Sequence, residues 1–138
     1  MTRQLLVPID DSAPARAALE YALERFPDDE LVVVHAVDDL EAGYAGEPSA
    51  DAGEATDLDV FQDATRLAEE HGRRVETRVL EGQAAAAILE HVVEAGVDEI
   101  VMGSEGRSGV SRMLLGSVAE KVARRSPVPV TIVPKARE

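Results

Sequence analysis

Two kinds of segment take turns along this 138-residue chain, and their alternation constrains the fold more than any single motif. Short runs of apolar and β-branched residues recur: QLLVPI (4–9), LVVVHAV (31–37), RVETRVL (74–80), EIVMG (99–103) and PVTIV (129–133). Those at 4, 31 and 99 show little polar alternation, the mark of strands covered on both faces in a parallel sheet. RVETRVL alternates and reads as a more exposed strand. Between the runs, apolar residues recur at helical spacing. Ala15, Ala18, Leu19, Ala22, Leu23 and Phe26 form one stripe, with Ser12 or Asp11 placed to cap it and Pro14 in its first turn. Val60, Phe61, Ala64, Leu67 and Ala68 form a second, ended by Gly72. Ala85, Ile88, Leu89, Val92 and Val93 form a third, ended by Gly96, and Val118, Ala119, Val122 and Ala123 a fourth, stopped before Pro127. The order βαβαβαβαβ with right-handed crossovers predicts a doubly wound α/β fold, a parallel sheet with helices on both faces.

One stretch interrupts the pattern. Residues 38–57 are rich in Asp, Glu, Ala and Gly with almost no core formers, and read as a long, mobile acidic loop. The pattern resumes beyond it, so a single domain over 1–138 is expected. The N-terminal apolar run is too short for a signal peptide core and is interrupted by Asp10 and Asp11. No segment approaches the ~20 apolar residues of a membrane span. There are no cysteines, which fits a reducing compartment, so a soluble cytoplasmic protein is expected. The net charge of -13 opposes binding to nucleic acid or anionic lipid. Lysine occurs only at Lys121 and Lys135, and such an acidic, lysine-poor surface suits concentrated salt, the composition expected of a halophile's protein.

The stretch GSEGRSGVSRMLLGS (103–117) lies between the fourth apolar run and the last helix. Glycines let a backbone approach an anion closely, and the helix that follows offers free N–H groups and the positive end of its dipole. The Ser117 hydroxyl can donate to a phosphate or coordinate its metal, and Arg107 and Arg112 add positive charge. These parts suit a phosphate cradle; they suit a plain surface loop equally well, and the residues alone leave both readings open. No GxxxxGK[ST] occurs, and the first βα turn, PIDDSAP, lacks glycine, so neither a P-loop nor a Rossmann fingerprint is present. Asp10 ends the first strand, where an acid can cap the next helix or meet a ligand at the crevice. His35, His71 and His91 show no metal-ligand spacing and read as structural or surface residues; no metal site and no catalytic set stand out.

Gly103-x2-Gly106-x9-Gly116-Ser117 resembles the ATP-binding signature of the universal stress protein family. LLVPIDDS, VVVHAVD and SVAEKVARRSPVPVTIVP resemble that family's first strand and turn, its second strand, and its last helix and strand, so the likeness spans essentially the whole chain. It implies a five-stranded sheet in the order 3-2-1-4-5 with ATP, or AMP or another adenine nucleotide, at the crevice, with Mg2+. By motif position Asp10 falls at the nucleoside and Ala36 at the adenine. Gly103, Gly106, Gly116 and Ser117 fall on the phosphates, and Pro8, Ile9 and Met102 line the pocket. Glu105 stands where the family pattern often has histidine. The expected function is an ATP-binding regulatory or stress-response switch. A slow ATPase or phosphotransferase, or a nucleotide-free interaction module, are the alternatives. The last strand has no lysine or inward charge to guard its edge, and a homodimer through Val130–Val133 is expected.

Screening of the acidic surface is expected to raise the melting temperature as KCl is taken from low to molar concentration. Thermal melts check this, and a flat or falling series would remove the high-salt reading.

Overall fold

The five apolar runs pair side by side as one parallel sheet in the order β3-β2-β1-β4-β5. The structure, a computed structural model, describes residues 3–10, 13–37, 50–104 and 116–134, with backbone alone for 50–58. Its elements are β1 (Gln4–Pro8), α1 (Ala13–Arg25), β2 (Glu30–Val37), α2 (Ala50–Glu70) and β3 (Glu76–Glu81), then α3 (Ala84–Ala95), β4 (Glu99–Gly103), α4 (Ser117–Arg125) and β5 (Val130–Val133). β1 is central: Leu5 lies opposite Leu31 of β2 on one side and Glu99 of β4 on the other.

Alternation along the central strands sends side chains to two cores. Leu5, Val7, Val33 and Val101 face α1 and α2, where they meet Ala18, Leu19 and Leu67. Leu6, Val32, Val34, Ile100 and Met102 face α3 and α4, where they meet Ile88, Val92 and Val122. This two-sided burial is why β1, β2 and β4 lack polar alternation. β3 is an edge strand, and Val79 is 48% exposed.

Four details differ from the sequence reading. The segment 38–57 is not all loop, because α2 begins at Ala50. Ala50, Ala52 and Ala55 are strong helix formers, and Asp51 and Glu54 suit the positive end of a helix. Only the apolar periodicity starts as late as Val60; residues 38–49 lie outside the described part. β3 starts at Glu76 rather than near Arg74, since Arg73 is engaged elsewhere. Its guanidinium donates to the carbonyls of Leu23 (3.1 Å), Phe26 (3.0 Å) and Asp29 (2.5 Å), closing the C-terminal end of α1. Val93 is 71% exposed. At 100° per residue it sits beyond the row Ala85, Ile88, Val92 that α3 buries. Ala123 is likewise exposed on α4.

The N-terminal end of the sheet is tied by ion pairs. Arg3 reaches Asp29 (3.1 Å) and Glu99 (3.4 Å) and lies over the Phe26 ring, and Glu99 also accepts a hydrogen bond from Thr131 (2.9 Å). The opposite, carboxyl end is left for function.

Candidate functional site

Strand order reverses between β1 and β4, and open parallel sheets bind ligands beyond the carboxyl ends of the strands at such a seam. Two helices start there from opposite faces. α1 follows β1 directly and packs on the Val7 side. α4 packs on the Met102 side, and its N-cap, Gly116, donates its N–H to the carbonyl of Ser104 (2.8 Å), the residue after β4. Each helix start carries the positive end of a dipole, and the start of α4 adds first-turn N–H groups, whereas α1 has Pro14, which lacks an N–H. The seam therefore favours an anion through backbone alone.

Gly103 shows why glycine stands at the end of β4. A Cβ there would lie 2.6 Å from the Pro14 carbonyl carbon, 2.8 Å from its oxygen and 2.9 Å from the Ala15 nitrogen. The close approach this glycine permits is that of α1's first turn. Gly116 has extended angles, φ -67° and ψ 161°, which any residue adopts, so its glycine is not demanded by torsion. It is buried, whereas Ser117 beside it is exposed at the start of α4.

The end of β1 is held by its neighbours. The Ile9 N–H donates to Val34 (2.8 Å), and the buried His35 donates from Nδ1 to the Ile9 carbonyl (3.0 Å). Phe61 of α2 meets the His35 ring edge-on at 6.4 Å between centroids. Beyond Ile9 a cleft of about 550 Å³ opens between α1 and α2. Ile9, Leu19, Val60 and Leu67 make its apolar floor; Asp10, Arg16, Asp59 and Asp63 make its polar rim. Arg16 bridges the two helices by an ion pair to Asp63 (2.6 Å), both side chains being half-exposed.

Of the residues expected at the site, Ile9 and Asp10 line this cleft. Pro8 is the half-buried last residue of β1. Ala36 is half-buried in β2, opposite Leu80 of β3. Met102 is buried in the α3/α4 core, across the sheet from Ile9. Gly103, Gly116 and Ser117 come together at the seam. Gly106 and Arg107, with Glu105 and Arg112, lie outside the described residues. Sequence reasoning did not find Arg16, Asp59 and Asp63. A signal existed for the first: Arg16 is a base near the start of α1, where the helix dipole disfavours one.

The sequence pattern of the universal stress protein family matches residues 1–134, all of the elements above. The chain belongs to the universal stress protein family. It is 30% identical over 145 aligned positions to universal stress protein MJ0531 of Methanocaldococcus jannaschii, covering 99% of this chain and 84% of that one. Among solved structures, MJ0577 of the same organism superposes with a TM-score of 0.79 at 26% identity, over 100% of this chain and 99% of that one. A universal stress protein solved in complex with cAMP superposes with a TM-score of 0.74 at 27% identity, over 97% and 98%. No helix among the described residues of this universal stress protein is long and apolar enough to cross a membrane.

Gly103→Ala tests the seam of this universal stress protein directly. Because the new Cβ meets backbone rather than a yielding side chain, the variant is expected to lose about 1–3 kcal/mol or more in denaturant unfolding. An unchanged midpoint would mean that α1 does not need the gap.

Proposed function

We propose that this universal stress protein binds an adenine nucleotide at the β1/β4 seam and acts as a nucleotide-dependent, dimeric regulatory switch in stress response. The observation that carries the reading is the convergence of two helix starts, α1 and α4, on the seam beside Asp10. The cleft volume lies within the ~300–1,000 Å³ common for small-molecule sites, and its apolar floor suits a purine face. The Asp10 carboxylate can accept hydrogen bonds from ribose hydroxyls. Asp59 and Asp63 repel phosphate from the far rim, which steers it toward the N–H groups and exposed hydroxyl at Ser117. A relative solved with cAMP supports the adenine nucleotide class. ATP is the form implied by the resemblance of Gly103-x2-Gly106-x9-Gly116-Ser117 to the family signature, with AMP or another adenine nucleotide as the alternative. The carboxylate of Asp10 and the hydroxyl of Ser117 are oxygen donors of the kind Mg2+ takes. When bound, Mg2+ would neutralise phosphate charge; this chain's residues orient the nucleotide.

The dimer half of the proposal rests on β5. It closes the sheet order, and its residues are all half-buried. The Pro129 carbonyl accepts from Ile100 and the Val133 carbonyl from Ser104, so alternate residues 129, 131 and 133 face β4. Val130 and Ile132 then present their N–H and C=O groups outward, an edge suited to antiparallel pairing with a second copy across a two-fold axis.

Isothermal titration with ATP, AMP and cAMP checks the nucleotide reading. Ser117→Asp is expected to weaken binding at least tenfold, since a carboxylate replaces the phosphate's donor, while the fold is kept because an acid suits a helix start. Equal affinity in the variant would remove the phosphate assignment, and phosphate release with Mg2+ separates a switch from a slow ATPase.

Light scattering checks the dimer: the wild type is expected at twice the chain mass. Ile132→Pro, confirmed as folded by circular dichroism, is expected to move toward monomer. A wild-type monomer at micromolar concentration in molar salt would defeat the assembly.

A further inference from the structure

Past the cleft, toward the C-terminal ends of α1 and α2, three donor side chains converge. Glu20 and Glu24 stand one turn apart on α1, both exposed, and His71 follows the last residue of α2. One ligand atom from each lies within 4.8 Å of the others. The chain separation, 47 residues between Glu24 and His71, hides this group from any spacing rule.

The histidine is oriented for ligation. Its Nδ1–H donates to the Leu67 carbonyl at 3.0 Å, which turns Nε2 toward the carboxylates, where it pairs with Glu24 when protonated. Metal-binding histidines are held in this way, with the second ring nitrogen donating to a carbonyl or carboxylate. Nε2 lies 3.4 Å from a Glu24 oxygen. That is beyond the ~2.7–3.2 Å of ordinary N–H···O bonds. A cation with bonds of about 2.0–2.1 Å needs ligand atoms about 3.3–3.4 Å apart, and the three donors, all within 4.8 Å of one another, would close to that by side-chain rotation at the surface. Two carboxylates beside Nε2 favour positive charge there, which the Nε2 proton supplies in the ion pair with Glu24. A cation would take the place of that proton.

We propose that Glu20, Glu24 and His71 bind a divalent cation of the zinc type, with water completing the coordination on the open side. One imidazole and two carboxylates suit zinc better than Mg2+, which prefers oxygen alone. The cation would join α1 to the end of α2, where the two helices already meet through Arg73 and the Leu23 and Phe26 carbonyls. This site does not depend on the nucleotide reading.

Titration of the whole, nucleotide-free chain with ZnCl2 is the test, by calorimetry and by thermal melts. One equivalent is expected to bind saturably in the micromolar range and to raise the melting temperature by several degrees, whereas MgCl2 at the same concentration does neither. His71→Gln is expected to lose at least about tenfold in zinc affinity. Glu20→Gln, at an exposed position that leaves the fold intact, is expected to weaken zinc as well and serves if His71→Gln unfolds. Wild-type protein without saturable zinc binding would overturn the site. So would variants that bind zinc as tightly as the wild type, which would place the ion elsewhere on the acidic surface.

Discussion

The contact between the first turn of α1 and the end of β4 sets the geometry of the rest. Backbone meets backbone there, through the gap that Gly103 leaves by having no Cβ. Because α1 lies that close to the sheet, its start falls on the β1/β4 seam rather than out over the loop. Ser104, the next residue, then receives Gly116, and through it the start of α4. One missing methyl group thus brings two helix dipoles to the place where strand order reverses. Had β4 ended in any larger residue, α1 would stand off, and the cleft behind Ile9 would lose its wall.

The framework was legible because its signals are local. The covered strands announced themselves by unbroken apolar runs, and α1 by a stripe from Ala15 to Leu23 that is buried throughout. Sheet order came from the family resemblance and not from periodicity, which cannot say which strands are neighbours. The start of α2 was missed because Ala50, Glu54 and Ala55 favour helix by propensity while giving no apolar period to detect. Val93 misled in the opposite sense, since it is apolar but lies about 100° round from Val92. The sequence marked Gly103 as a point of close approach, but a glycine cannot say what approaches it. Its visible neighbour is Pro14, 89 residues earlier. Arg16 with Asp63, and Glu24 with His71, are likewise pairings made by the crossing of helices, which no window of sequence contains.

Charge gives the site an unusual division of labour. The whole chain carries -13, and three carboxylates stand on the cleft rim against one guanidinium. Any attraction for an anion at the seam would therefore come from oriented peptide groups, whose field acts only within the first turn and weakens in salt. The acidic surface as a whole would repel a polyanion at a distance.

Arg73 has a mechanical consequence. It fastens the turn after α2 to the C-terminal carbonyls of α1, while the start of α1 is joined to the middle of α2 by the half-exposed Arg16–Asp63 pair. A surface ion pair is worth about 0–1 kcal/mol. The two helices are accordingly held firmly at Arg73 and only weakly where Arg16 meets Asp63. A guest too wide for the resting cleft would break that weak pair first, while the shared core of Leu19, Ala64 and Leu67 keeps both helices on the sheet.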